Sequence, residues 1–529
     1  MSANQIRVRP KEISKPKMKK LNLFVVSTIV ILLGATLAFT IATFSGFSDK
    51  FNFSFAPLEV ASVAGKTIIR VPANGDLQAA INRAKSGDII ELAAGATYYG
   101  EIQLPAKPLT DFITIQSSAA GQLPENRRVS PAQSKLMAKI VSKGKGAPAV
   151  STEKAAHHYR FVGIEFAASN ADYVYNLVFF GEPKNLAEAA HHLEIDRCYF
   201  HPYKSGVTRR AVALNSQQTT ITNSYFAGFA FPQQETQAIC GWTGTKDVKI
   251  INNYIEGGAE NIMFGGADPA SADLIPADIE VRGNYLYKPA EWKDKVSTKC
   301  LFELKNARRV EFVGNYLENN WGDSAFRITV RNQDGTAPFS TIEDVLIKDN
   351  VIKGAGAGVN ILGTDNTHPS QTMKRLNIVN NLFLNIGEEN WQGAGYFVQV
   401  SGGADILIAN NTIFNQGNIT SFYGDLPSNF IFRDNIVGHG YYGIHGFEGI
   451  RSPAGQRLFQ NNVIVNNQKV TQSDTSFPAG NFWVQDYKNV GFADFAQNDF
   501  RLAPDSRYKG KAKGRADIGS NLSVVNSVK

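Results

Sequence analysis

One short phrase recurs through this chain with an asparagine always in the same place. It reads VKIINNYI at Val248–Ile255, IEVRGNYL at Ile279–Leu286, VEFVGNYL at Val310–Leu317 and VLIKDNVI at Val345–Ile352. It continues as LNIVNNLF, ILIANNTI, FIFRDNIV and, more loosely, RLFQNNVI up to Ile464. Aligned, the copies put Asn253, Asn284, Asn315, Asn350, Asn381, Asn411, Asn435 and Asn462 in one column, at intervals of 24 to 35 residues. Two earlier copies place Cys198 and Ser224 in that column, and one earlier still places Ile164 there.

A repeat of this length, with one alternating apolar strand per unit and no helix-length pattern between, belongs to a solenoid, because no unit can bury its apolar face alone. The expected fold is all-β, a single right-handed parallel β-helix. Coils stacked about 4.8 Å apart let each asparagine amide bond the one above and below. Such a ladder satisfies polar groups that are costly when buried unpaired.

The apolar run Leu21–Phe44 is long enough to cross a bilayer. Seven of the first twenty residues are Lys or Arg and one is Glu, which keeps them cytoplasmic and exports the rest. Cleavage after a signal peptide is the competing reading. The expected organisation is a basic segment 1–20, a transmembrane signal anchor 21–44 and a linker 45–66, then a β-helix 67–467 and a capping segment 468–529. The formal charge of +7 sits almost wholly in the first segment, so it reports topology and argues against nucleic acid as a partner. The three cysteines, Cys198, Cys240 and Cys300, are too scattered for a disulfide framework or a zinc site.

Asp76 is placed to cap a short helix with Leu77, Ala80, Ile81 and Ala84 on its apolar face, ended by Gly87. Strands Ile89–Leu92 and Ile102–Leu104 follow, and then coils carrying Phe112–Ile115, Ala138–Val141 and Phe161–Phe166. An amphipathic helix there covers the open end of the core. The stretch LQAAINRAKSGDIIELAAGATYYG resembles the opening coil of pectate-lyase-like β-helix proteins, over roughly Val71 to Asn467 once the ladder is included. The tail Asp499–Asn521 resembles the closing segment of exported bacterial β-helix proteins and is expected to cover the last coil.

Long insertions fall at 265–278, 331–344 and 363–374, and would wall one groove. Within it, FELKN (Phe302–Asn306) and ITVRN (Ile328–Asn332) align locally, which would set Lys305 beside Arg331. Glu303, Asp334, Asp365 and His368 would share that face. Thr329-Val330-Arg331 is similar to a T-x-R motif of the alginate lyase and chondroitinase B family. That resemblance implies β-elimination on an acidic polysaccharide, with Lys305 as base, Arg331 as its partner and calcium at Glu303. The family has more than one acidic calcium ligand near the lysine, whereas here only Glu303 is close. Solvated charges, or ion pairs with Glu303 and Asp334, are the competing reading of Lys305 and Arg331. Trp242, Trp292, Trp321, Trp391 and Tyr396 are the aromatics that would stack on sugar faces, Trp321 first among them, or else pack within the coils.

Other β-helix chemistries lack their residues. No acidic doublet for a glycosidase sits on an outward strand, and Gly438-His439-Gly440 reads as a turn. His157-His158 and His191-His192 have no metal-ligand partners at useful spacing and read as surface turns. Arg308-Arg309 and Lys374-Arg375 read as solvated turns. Two functions remain: an exported, membrane-anchored lyase on an acidic polymer, or a non-catalytic glycan-binding or surface β-helix.

Overall fold

The computed structural model describes residues 58–63, 66–446, 457–470 and 477–523, all within one compact unit, Phe55–Lys529. Two long sheets, of 15 and 24 strands, carry nearly all of it. Each coil gives one strand to the first sheet (face A), turns at the ladder position, and then gives two consecutive strands to the second sheet (faces B and C). Lys246–Ile251, Tyr254–Gly257 and Glu260–Phe264 form one such coil. Its parallel neighbours are Ser216–Thr222 and Ala277–Arg282 on face A. The fold is a parallel β-helix, and the crossover rule for parallel strands gives it the right hand.

The ladder is present as expected. Asn253 Nδ2 donates to Asn284 Oδ1 (3.0 Å), Asn284 to Asn315 (3.0 Å) and Asn315 to Asn350 (3.1 Å). The same bond then repeats through Asn381, Asn411, Asn435 and Asn462. Each Oδ1 also accepts the backbone N–H of the preceding rung, as Asn315 does from Asn284 (2.9 Å). Ser224 and Cys198 join through backbone N–H bonds, to Asn253 Oδ1 and Ser224 Oγ. The residue before each rung is left-handed: Asn252, Gly283, Gly314, Asp349, Asn380, Asn410, Asp434 and Asn461 all have φ between 54 and 66°. That is why glycine, asparagine and aspartate fill this second column.

At the N-terminal end, α1 (Leu77–Arg83) is capped by Asp76, which accepts from Ala79 N–H, and buries Leu77, Ala80 and Ile81 as expected. Its last carbonyls are met by Lys107 Nζ, 2.5 Å from Ile81 O and 2.8 Å from Ala84 O, a cation at a helix C-terminus. A strand Glu59–Val63, inside the expected linker, pairs antiparallel with Lys66–Val71. The expected span Leu21–Phe44 lies outside the described residues; among those described, no helix is long and apolar enough to cross a membrane.

The C-terminal end differs from expectation in two ways. The ladder runs one rung past Asn467, since Asn462 Nδ2 donates to Asn481 Oδ1 (2.9 Å) and Phe482–Val484 pairs with Val463–Val465. The tail then does not stop at the last coil. It runs back along the ladder corner: Lys511 O meets Asn461, Gly519 N–H meets Asp434 O, Asp517 O meets Asn410, and Asn521 meets Asn380. Left-handed residues point their side chains outward there, so the tail straps four coils together.

Candidate active site

Lys305 follows the face C strand Cys300–Leu304. Its N–H donates to Phe264 O on the preceding coil and its carbonyl accepts from Arg331 N–H on the next, both at 2.8 Å. Lys305 and Arg331 are therefore neighbours across one coil step, as the pentads suggest. Gly265 lets them pass: its φ is +93°, and a Cβ there would lie 2.9 Å from Lys305 Cβ and 2.7 Å from Asn306 N. No ion pair closes on the Lys305 amine among the described residues.

The strand register is not the one the pentads imply. Phe302 pairs with Phe326, Glu303 with Arg327 and Leu304 with Ile328. Thr329 and Val330 are taken up before the turn, so Arg327 stands beside Glu303. The same outward column continues through Asn360, Gln399, Ser421 and His445. Its neighbours Phe302, Leu304, Phe326, Ile328, Val359, Ile361, Val398 and Val400 all face the core.

Glu303, at the head of this column, has an acidic neighbour that sequence reasoning missed. Glu260 and Glu303 come from adjacent coils, 0% and 1% exposed. Burial raises the Glu303 carboxyl toward neutrality, Lys305 and Lys299 oppose it, and the adjacent Glu260 adds to the rise. Gln237 Nε2 donates to Glu260 Oε2 (2.8 Å). Lys299 Nζ sits 2.7 Å from Glu235 Oε1 and 3.5 Å from Glu260 Oε1. The turn just before Glu260 is held by the fully buried Lys288, whose Nζ lies 2.6 Å from both Gly257 O and Gly258 O. Burial lowers Lys288 to about 8.

On the other side, Arg327 pairs with Asp323 (2.7 Å), and Arg331 reaches Asp365 (3.3 Å) and Asn366 (2.5 Å). Tyr423 folds back to hydrogen-bond Asn360 Oδ1 (3.2 Å). Burial raises its phenol and Arg331 and Arg327 lower it, for a net rise that keeps it protonated at neutral pH.

The three insertions do meet. Asp268 Oδ2 accepts from Asp334 N–H (3.1 Å) and from Thr336 N–H (2.8 Å), and Asn332 Nδ2 donates to Pro369 O (2.8 Å). Asp365 and His368 fasten this wall. Asp365 accepts from Asn332 N–H (2.7 Å) and Thr367 N–H (2.8 Å), while His368 Nδ1 meets Asn332 O (2.9 Å). Trp321 is buried and stacks on Trp391 with centroids 6.0 Å apart. His439 of the Gly-His-Gly triplet is buried against Phe477 and Trp483.

The residues around Glu303 do not fit calcium, which takes six to eight oxygens. Burial and the adjacent Glu260 raise the Glu303 carboxyl toward neutrality, and the Lys299 ammonium already stands between Glu235 and Glu260. A fixed ammonium fills the place a cation would take.

The strand topology defines a parallel β-helix. Among solved structures, a PL6 family alginate lyase, AlyGC, superposes with a TM-score of 0.54 over 87% of this chain, at 16% identity. A mutant of the same lyase gives 0.51 over 86% at 15% identity. This chain covers 59% of the length of the first and 58% of the second. No protein-family model and no curated protein matches the sequence.

Proposed function

We propose that this protein cleaves an acidic, uronic-acid-containing polysaccharide by β-elimination, in the groove over face C. The observation that carries it is Lys305, without an ion-pair partner among the described residues, stacked between Phe264 and Arg331 on a wall that also presents Arg327 and Tyr423. Elimination needs the sugar carboxylate neutralised, a base for the C5 proton and help for the departing O4. Arg327 and Arg331 answer the first need, since a guanidinium meets a carboxylate through two parallel bonds. Lys305 takes the C5 proton. A guanidinium does not give up a proton in proteins, so the proton for O4 comes from the Tyr423 phenol. Binding in register along Glu303, Arg327, Asn360, Gln399 and Ser421 suits an extended chain. The likeness to an alginate lyase supports the same substrate class. The reading also takes the β-helix as exported behind the anchor expected at Leu21–Phe44.

The test is incubation with alginate, pectate and glycosaminoglycans, following ultraviolet absorbance of the new unsaturated end. Lys305→Ala should remove about 10²–10⁴-fold of turnover without loss of fold. Absorbance that survives Lys305→Ala overturns the assignment of the base. Binding without turnover on every polymer favours the glycan-binding alternative.

A further inference from the structure

The two histidine doublets, four and three coils before Lys305, are not separate surface turns. His158 and His192 adopt left-handed φ of 59 and 51°, which throws consecutive side chains onto the same outer side of face A. The register pairs His191 with His157. His157 then stacks on His191 (4.7 Å, 6°) and His158 on His192 (4.4 Å, 8°). Within each doublet the rings are nearly perpendicular and the two Nδ1 atoms face each other at 2.7 Å. Ligand atoms of His157, His158 and His191 all lie within 4.8 Å of one another.

Later coils show what this position does. In three later pairs of coils the same left-handed residue carries a bond across coils: Arg309 Nε to Asp278 Oδ1 (2.6 Å), Arg375 Nη2 to Asp344 Oδ2 (2.8 Å) and Asn429 Nδ2 to Asp405 Oδ1 (2.6 Å). The arginine doublets read as solvated turns are thus ion-paired staples. The histidine coils hold only imidazoles here, groups that cannot pair with each other by charge.

We propose that His157, His158 and His191 bind one divalent transition metal of the zinc, nickel or copper class, joining two adjacent coils. Three imidazole nitrogens suit those borderline ions rather than calcium or magnesium. Zinc–nitrogen bonds of about 2.0–2.1 Å in a tetrahedral shell hold ligand nitrogens about 3.3 Å apart, so the 2.7 Å contact within the His157-His158 doublet opens slightly and His191 draws in, by rotation about the side-chain bonds. The stacked His192 or a water closes the shell. The site serves the stack and takes no part in the groove chemistry.

The test uses the chelator-treated, dialysed full chain and the metals alone. Titration with Zn²⁺ should show one ion per chain, and Co²⁺ should give the visible band of a tetrahedral imidazole site. His157→Gln and His191→Gln should each weaken binding at least about tenfold, the least that even outer partners of a metal contribute. Failure of the unaltered chain to take up Zn²⁺ stoichiometrically, or to give the Co²⁺ band, overturns the proposal whatever the variants do. Uptake unchanged in the folded double variant overturns it as well.

Discussion

Asn315 stands in the middle of the ladder, and replacing it by alanine isolates what one rung contributes. Its Oδ1 accepts the N–H of Asn284 (2.9 Å) and Asn284 Nδ2 (3.0 Å), and its own Nδ2 donates to Val281 O (2.9 Å) and Asn350 Oδ1 (3.1 Å). In Asn315→Ala the Asn284 N–H loses its acceptor inside a site closed to water, which costs about 1–3 kcal/mol. The other three bonds cost about 0.5–1.5 kcal/mol each net. Asn284 Nδ2 keeps Ile250 O (2.8 Å) and Asn350 Oδ1 keeps the N–H of residue 315 (2.8 Å), so the total should be about 3–5 kcal/mol. Ser224 supplies the control within the same column. Its hydroxyl accepts Cys198 N–H (3.0 Å) and donates to Thr222 O (2.8 Å). Asn315→Ser should therefore recover about 1–2 kcal/mol of the alanine loss. The assay is urea unfolding followed by fluorescence, with amide exchange at Asn284 as the local readout. A serine variant no better than alanine, with Asn284 N–H still protected in both, refutes the accounting.

Arg327→Ala and Arg331→Ala should each lower turnover, since both guanidiniums are held by a carboxylate of their own, Asp323 and Asp365, and both face the groove; initial rates on the best acidic polymer read the loss. Glu303→Gln should flatten the pH dependence of stability. The native carboxyl holds a proton that the unfolded one has lost, so stability of the unaltered protein falls as pH rises from the usual carboxylate value toward neutrality, and thermal melts across that window read the slope. Lys288 has the opposite sign. Its native value of about 8 lies below 10.5, the unfolded chain holds the proton in between, and stability should rise across that window by at most about 3 kcal/mol. Lys288→Met should abolish that rise while leaving the carbonyls of Gly257 and Gly258 without their donor, so the variant melts lower at neutral pH.

The repeated asparagine determined the coil, the ladder and the inward strands, because a rung that must bond its equivalents one coil away leaves a sequence column that no loop can shift. The capping helix was equally legible, since Asp76 and the spacing of Leu77, Ala80 and Ile81 are local. The groove was not. Its strands follow the ladder at variable distance: Arg327 lies 12 residues after Asn315, Asn360 10 after Asn350, and Glu303 19 after Asn284. Insertions at the corner between faces B and C shift the phase, so Lys305 was found by local likeness while Arg327, Glu260 and Lys299 were missed. The histidine doublets were hidden for a related reason, as His157 and His191 are one coil apart in space but 34 residues apart in the chain. Two residues facing the same way in a strand need a left-handed bend that composition does not announce. The tail packs on the last coils as expected, but its run back along the corner was not legible because its partners there, Asn461, Asp434, Asn410 and Asn380, come together only in the assembled stack. Local pattern decides what repeats; contacts between coils of unequal length exist only after stacking, and those contacts decide the site.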